Sequence, residues 1–145
     1  MNKAIYNIKT PSLKEVITLL EDNNLPSSDI KDLNLESFFG LYIDDTLEGI
    51  VGLEVYGELA LLRSLAVNSK KSSGIGSILL EHIDSFSKSK NINTLYLLTT
   101  TADKYFLKKG YSIIDKKEAP QIIQNTKEFN SICPDSSICM KKELN

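Results

Sequence analysis

The sequence has one histidine and two cysteines among its 145 residues, no surplus of basic charge and no long apolar run. Seventeen basic residues against nineteen acidic ones leave a formal net charge of -2. Without a basic surplus to neutralise phosphates, nucleic acid is not expected as a general partner. The longest apolar runs, such as Leu59 to Leu62, fall far short of the ~20 residues that span a bilayer, so no membrane association is expected. Met1-Asn2-Lys3 opens the chain without the apolar stretch of a secretion signal. A cytoplasmic location is therefore the expectation, with both cysteines as reduced thiols. One histidine and two cysteines supply too few ligands for a built-in zinc site, and no metal is expected.

No internal repeat or low-complexity linker divides the chain, and residues 1–145 read as a single domain. Ala4 to Ile8 reads as a first strand. Ser12-Leu13-Lys14-Glu15 is a capping box, in which the two polar side chains satisfy each other's exposed backbone donors. Leu13, Val16, Ile17 and Leu20 continue at helical spacing until Asn23, Asn24 and Pro26. Ser27 to Leu33 is expected as a short second helix. Three strands follow: Ser37 to Ile43 up to the turn at Asp44-Asp45, Leu47 to Tyr56 up to Gly57, and Leu59 to Val67. The last is apolar at both parities, which calls for cover on both sides. Ile75, Ile78, Leu79, Ile83 and Phe86 have helical spacing up to Asn91, and Thr94 to Thr100 is rich in strand formers. Strand, helix, strand is expected to make one right-handed crossover between parallel neighbours. A helix over Ala102 to Lys109, a strand over Tyr111 to Asp115, a helix from Pro120 to Phe129 and a strand over Ser136 to Leu144 complete the order. The class is α/β, with a mostly antiparallel mixed sheet, one parallel pair and helices on both faces.

Chemistry concentrates between Leu62 and Ser77, where a buried strand leads through a polar loop into a helix. Small residues followed by a helix N-terminus make an anion site, since first-turn N–H groups point outward and the helix dipole favours negative charge. Gly74 and Gly76 let a diphosphate approach without side-chain clash, and Lys70 and Lys71 add positive charge. A plain strand-to-helix turn with glycine for tight packing remains the other reading of this spacing. The segment is neither a P-loop nor a dinucleotide fingerprint, because the lysine-hydroxyl ending and the third glycine are absent.

Lys71-Ser72-Ser73-Gly74-Ile75-Gly76, after a strand ending Leu65-Ala66-Val67, resembles motif A of the GNAT N-acetyltransferases, usually Gln/Arg-x-x-Gly-x-Gly/Ala. Lysine stands where glutamine or arginine is usual. The resemblance implies the acyl-CoA N-acyltransferase fold over the whole chain and acetyl-CoA as co-substrate. It implies that amides from Ser72 to Ser77 hold the pyrophosphate and that backbone groups of Leu65 and Val67, flanking Ala66, pair with pantetheine. Ala102 to Tyr111 resembles the family segment Ala-x-x-Leu-Tyr-x-x-x-Gly-Phe, whose tyrosine often protonates the departing thiolate. In register that position is Phe106. Tyr105, turned by about 100° around the helix, is the substitute acid, or the thiolate leaves with help from water and local dipoles. Family members often pair, which leaves a homodimer open, although no exposed stripe argues for one.

Further stretches resemble a narrower branch, the arsenic-resistance N-acetyltransferases of the second type. They include Val51 to Gly57, Leu61 to Val67, Leu95 to Ala102, Glu118-Ala119-Pro120 and Glu128 to Met140, with its Cys-Pro-x-Ser-x-x-Cys-Met ending. The branch implies an amine acceptor such as an organoarsenical amino acid. GNAT chemistry needs a base to deprotonate the attacking amine. Glu54, in mid-strand beside Gly52 and Tyr56, is the candidate; a water-facing sheet position and a substrate-ammonium anchor are the other readings. Arg63 suggests a carboxylate grip for an amino-acid substrate, or an internal ion pair with Glu54. Ser64 is a substrate contact or a small packing residue, and Thr100 offers a hydroxyl at the end of the fifth strand. His82 reads as structural. Cys133 and Cys139 read as core residues, a redox pair or soft ligands for trivalent arsenic.

The function expected is transfer of acetyl to a primary amine of a small molecule. Acetylation of a protein amine is the enzyme-class alternative, and a non-catalytic acyl-CoA-binding module is the other class.

Overall fold

The computed structural model describes residues 6–25, 27, 35–68, 74–132 and 136–144. The elements run β1 (Tyr6–Lys9), α1 (Leu13–Asp22), a 3-10 turn (Leu35–Ser37), β2 (Phe38–Ile43), β3 (Thr46–Tyr56), β4 (Leu59–Val67), α2 (Ile75–Ser89), β5 (Thr94–Thr99), α3 (Asp103–Lys108), β6 (Ser112–Ile114), a second 3-10 turn (Lys116–Glu118), α4 (Gln121–Gln124), a π-helical turn (Glu128–Ile132) and β7 (Ile138–Glu143). The expected class is found: a seven-stranded mixed sheet in the order β1-β2-β3-β4-β5-β7-β6, with β4 and β5 parallel. The second helix expected over Ser27 to Leu33 lies outside the described residues, Ser27 excepted. By compactness the chain divides into one unit of Met1–Leu53 with Ser64–Ser85 and another of Glu54–Arg63 with Phe86–Asn145.

In the first unit, α1 starts where the sequence supplies an acceptor for its leading N–H groups. Ser12 Oγ accepts from Glu15 N–H at 3.2 Å, and Glu15 Oε1 accepts from Ser12 N–H at 3.1 Å. The same carboxylate accepts from Tyr42 Oη at 2.8 Å, so the cap also joins α1 to β2. Val16 and Leu20 turn inward at i and i+4 and pack with Phe38, Ile50 and Ala66. Burial of each such aliphatic chain is worth about 1.5–3 kcal/mol. Asp44 and Asp45, both at positive φ (50° and 64°), form the tight turn between β2 and β3. That geometry suits the right-handed twist of a two-residue hairpin loop. Leu41 pairs with Gly49 and Tyr42 with Leu47, so Glu48 is an extra residue that bulges β3. α2 packs tightly here, since a Cβ on Gly49 would lie 2.7 Å from Ile75 Cγ2.

In the second unit, β7 lies between β5 and β6 and pairs antiparallel with both. Leu61, Tyr96, Ala119, Ile123 and Cys139 form its core. α2 closes at Asn91, whose φ of 61° lets the chain turn back, with Ile92 N–H donating to Ser87 O at 2.9 Å. One expectation fails: Pro120 to Phe129 is not a continuous helix. Thr126 Oγ1 donates to Ile123 O at 2.8 Å, and the chain resumes as the π-helical turn from Glu128. A threonine hydroxyl bonding to the carbonyl three residues back offers the backbone another partner, which competes with helix propagation.

Ser12→Ala is expected to cost about 1 kcal/mol in urea unfolding at neutral pH. The Ser12 N–H holds the Glu15 carboxyl below the usual range, burial opposes it, and the hydroxyls of Tyr42 and Ser12 assist. The stability this adds is present above the unfolded carboxyl's pKa and is lost as pH falls through the lower folded value. Urea midpoints of Glu15→Gln should therefore fall less on acidification than those of the parent. Parallel curves for the two proteins would refute the role of this carboxylate.

Candidate active site

Asn68, just beyond β4, donates its N–H to Glu48 O at 2.7 Å. The β3 bulge thus fixes the point where the chain leaves β4 for the glycine segment. Lys71, Ser72 and Ser73 lie outside the described residues. Gly74 is described: its φ is +77°, and a Cβ there would meet no atom within 4 Å. Its backbone therefore faces open space in a conformation that side chains rarely adopt. Ile75 is buried and anchors the start of α2, while Gly76 and Ser77 are half-buried. Among the described residues, the first backbone bond at this end is Ile78 N–H to Gly74 O at 3.1 Å. The amides of Ile75 and Gly76 precede it, so they have no carbonyl one turn back within α2. These features fit an anionic group at the helix start. In β4, Ala66 is buried and Leu65 and Val67 are half-buried.

Glu54, Arg63 and Tyr56 come together in the second unit. Arg63 Nη1 donates to Glu54 Oε2 at 2.9 Å, and Tyr56 Oη donates to Glu54 Oε1 at 2.6 Å. The Arg63 side chain is 0% exposed and that of Glu54 11%. The internal ion pair, one of the readings of Arg63, is present. Burial, then the hydrogen bond to Glu54, push the Tyr56 phenol above its ordinary range, so it stays a donor. Ser64, next to Arg63, has a φ of 61°. A left-handed residue inside a strand interrupts the period of two at this point of β4. The parallel ladder of β4 and β5 pairs Leu59 with Thr94, Ala60 with Leu95 and Leu61 with Tyr96. It stops there although both strands continue.

Tyr105 is half-buried on α3, its ring edge-on to Phe106 at 5.4 Å and capped by Lys109 Nζ at 5.4 Å. Phe106 is buried against Tyr111. Thr100 is exposed just beyond β5, and its neighbour Thr99 accepts the Ala102 N–H at 3.0 Å. His82 stacks edge-on with Phe39 at 4.7 Å, and burial lowers its pKa, as suits a structural residue. Cys139 is 1% exposed in the apolar core, and burial pushes its thiol up to about 11. It stands there as a protonated packing residue. Cys133 lies outside the described residues.

No protein-family model and no curated protein matches the chain. Solved structures do. N-acetylglutamate synthase from Neisseria gonorrhoeae, complexed with coenzyme A and N-acetyl-glutamate, superposes with a TM-score of 0.81 at 20% identity, over 99% of this chain and 36% of its own. An acetyltransferase of the GNAT family from Staphylococcus aureus Mu50 superposes with a TM-score of 0.72 at 20% identity, over 97% of this chain and 100% of its own. The fold is that of the GNAT acetyltransferases. The ribosomal-protein-S18-alanine N-acetyltransferase from Escherichia coli shares it, with a TM-score of 0.74 at 16% identity over 97% of this chain and 95% of its own. This chain spans about a third of the Neisseria synthase, 36% of its length.

Within this GNAT fold, two features of the site escaped the sequence reading. Tyr56 carried a weak signal, its place two residues from Glu54 on the same strand face. The left-handed Ser64 carried none, because serine is unremarkable at that position in a strand pattern.

Removing one partner of a buried ion pair strands the other, at about 3–5 kcal/mol. Arg63→Met is expected to lose about 3 kcal/mol in chemical denaturation, and adding Glu54→Gln should recover part of that loss. A single-variant loss within ~0.5 kcal/mol of zero would show that the pair is not desolvated in solution.

Proposed function

We infer that the chain acts as a single-domain, cytoplasmic N-acetyltransferase that moves acetyl from acetyl-CoA to a primary amine of a small molecule. The observation that carries this reading is the GNAT fold together with an open Gly74 at the start of the 15-residue helix α2. In the proposed site, Ser72 to Ser77 cradle the pyrophosphate and the β4 segment Leu65 to Val67 pairs with pantetheine. The Neisseria synthase, which shares this fold over 36% of its length, is complexed with coenzyme A, which supports that assignment.

In the chemical step, the neutral amine nitrogen bonds to the thioester carbonyl carbon and the carbon–sulfur bond breaks. Glu54 takes the proton the amine gives up, directly or through water. A proton from Tyr105 or water goes to the departing thiolate. Arg63 acts here through Glu54 and not as a separate carboxylate grip, since the two are already paired at 2.9 Å. Ser64 and Thr100 are left as the polar contacts for the acceptor.

An organoarsenical or other amino acid is the acceptor we place first. It rests on the stretches that resemble the arsenic-resistance branch, Leu61 to Val67 and the Cys-Pro-x-Ser-x-x-Cys-Met ending. The buried Cys139 takes no part in that recognition. A protein amine is the alternative that the Escherichia coli neighbour represents. Phe106 at the register of the family's tyrosine, and buried, favours one second reading: a module that binds acyl-CoA without turnover.

Thermal unfolding with acetyl-CoA tests the reading. At about one hundred times the dissociation constant the ligand should add roughly 2.7 kcal/mol, a rise in Tm on the order of 10 °C. Gly74→Val, strained at φ +77°, should abolish the rise. Release of free thiol with a panel of amines, organoarsenical amino acids included, then separates enzyme from binding module. No rise at saturating acetyl-CoA would end the transferase reading.

A further inference from the structure

Glu54 is a carboxylate with both oxygens already engaged, and the two donors differ in kind. Arg63 comes from β4 and is fully buried, whereas Tyr56 comes from the same strand as Glu54 and is half-buried. The Arg63 contact supplies charge balance. The Tyr56 contact, at 2.6 Å, is within the range of charge-assisted O–H···O⁻ bonds, roughly twice as strong as neutral ones. A strand places residues i and i+2 on one face, but their side chains stand parallel, and nothing in that spacing obliges a phenol to bend onto a carboxylate. Tyr56 also packs against the apolar cluster that includes Leu61, Tyr96 and Ile123, which restricts its side chain.

We propose that Tyr56 is a positioning residue of the acceptor site: its hydroxyl and the Arg63 guanidinium, one on each oxygen, fix the Glu54 carboxylate in the orientation in which it receives the amine proton. This rests on the N-acetyltransferase reading. An ionised carboxylate has about four acceptor sites. With one lone pair of each oxygen taken, the remaining ones have set directions, and the approaching amine meets a base that needs no reorientation. Among the described residues, Tyr56 and Arg63 are the charged or titratable groups bonded to Glu54, from β3 and β4 respectively. A base left free to rotate loses the alignment on which proton transfer depends, and misalignment alone costs rate.

Two measurements on the intact chain test this. The first is the proton NMR spectrum, in which a hydroxyl proton in so short a bond to a carboxylate resonates downfield of the amides. The resonance should be present in the wild type and lost in both Tyr56→Phe and Glu54→Gln. The second is kinetic. Tyr56→Phe should lower kcat/KM for the amine acceptor about tenfold, carried by kcat, with the KM for acetyl-CoA unchanged. In the Glu54→Gln background the same substitution should change single-turnover rates by no more than about twofold, because the group it positions is gone. Equal losses in both backgrounds, a loss confined to the KM for acetyl-CoA, or no downfield proton in the wild type would overturn the proposal. A wild type that shows the proton but acetylates no amine would end the transferase reading and leave the Tyr56–Glu54 contact standing. Melting curves of Tyr56→Phe and Glu54→Gln guard against misfolding, and the wild-type spectrum reads the contact without any variant.

Discussion

The buried guanidinium of Arg63 sets terms for the strands around it. A fully desolvated cation costs several kcal/mol unless a carboxylate meets it with good geometry. Glu54 is that carboxylate, at 2.9 Å. It reaches Arg63 only if β3 and β4 return on each other through a short turn. Gly57, at φ 66°, supplies that turn with Glu58. A slip of one residue would send Glu54 to the opposite sheet face and leave the cation alone, so the ion pair specifies register as well as chemistry.

Backbone irregularity gathers along the same two strands. Glu48 bulges β3, and its carbonyl takes the Asn68 N–H at the exit of β4. Ser64 adopts a left-handed conformation in mid-strand, and Gly74 adopts one ahead of α2. Each costs on the order of 1 kcal/mol or more for a residue with a Cβ. Regular β1, β5 and β7 carry no such residues among those described. The turns at Asp44-Asp45 and Asn91 are left-handed as well, but Ser64 is left-handed inside a strand, where a bulge or a re-aimed side chain would need it.

Much of the fold was legible because its signals are local. The Ser12 capping box, the Asp44-Asp45 turn and the limits of β4 follow from residue type and periodicity, and the structure returns them. The parallel neighbour of β4 followed from apolar residues at both parities and a helix in between. What the sequence withheld depends on neighbours far along the chain, or on competition within one turn. Pro120 to Phe129 has helical spacing, yet the Thr126 hydroxyl takes a carbonyl and breaks it. Cysteine reads equally as ligand or filler, and its burial in one cluster with Leu61, Tyr96 and Ile123 depends on contacts far along the chain. Arg63 offered two roles on paper; the ion pair with Glu54, at 2.9 Å, is present.

The ion pair bears on the proposed chemistry. A bare carboxylate beside the acceptor would hold an ammonium in its protonated form, and a protonated amine cannot attack a thioester. Pairing with Arg63 makes the local charge close to zero, so the site attracts the amine through hydrogen bonds more than through Coulomb force. The amine then sheds its proton at less cost, while the second lone pairs on Glu54 remain to accept it. On this view the residue that looked like a substrate grip serves the reaction better by balancing the base. The cost of burying it is met by the same carboxylate that the chemistry requires.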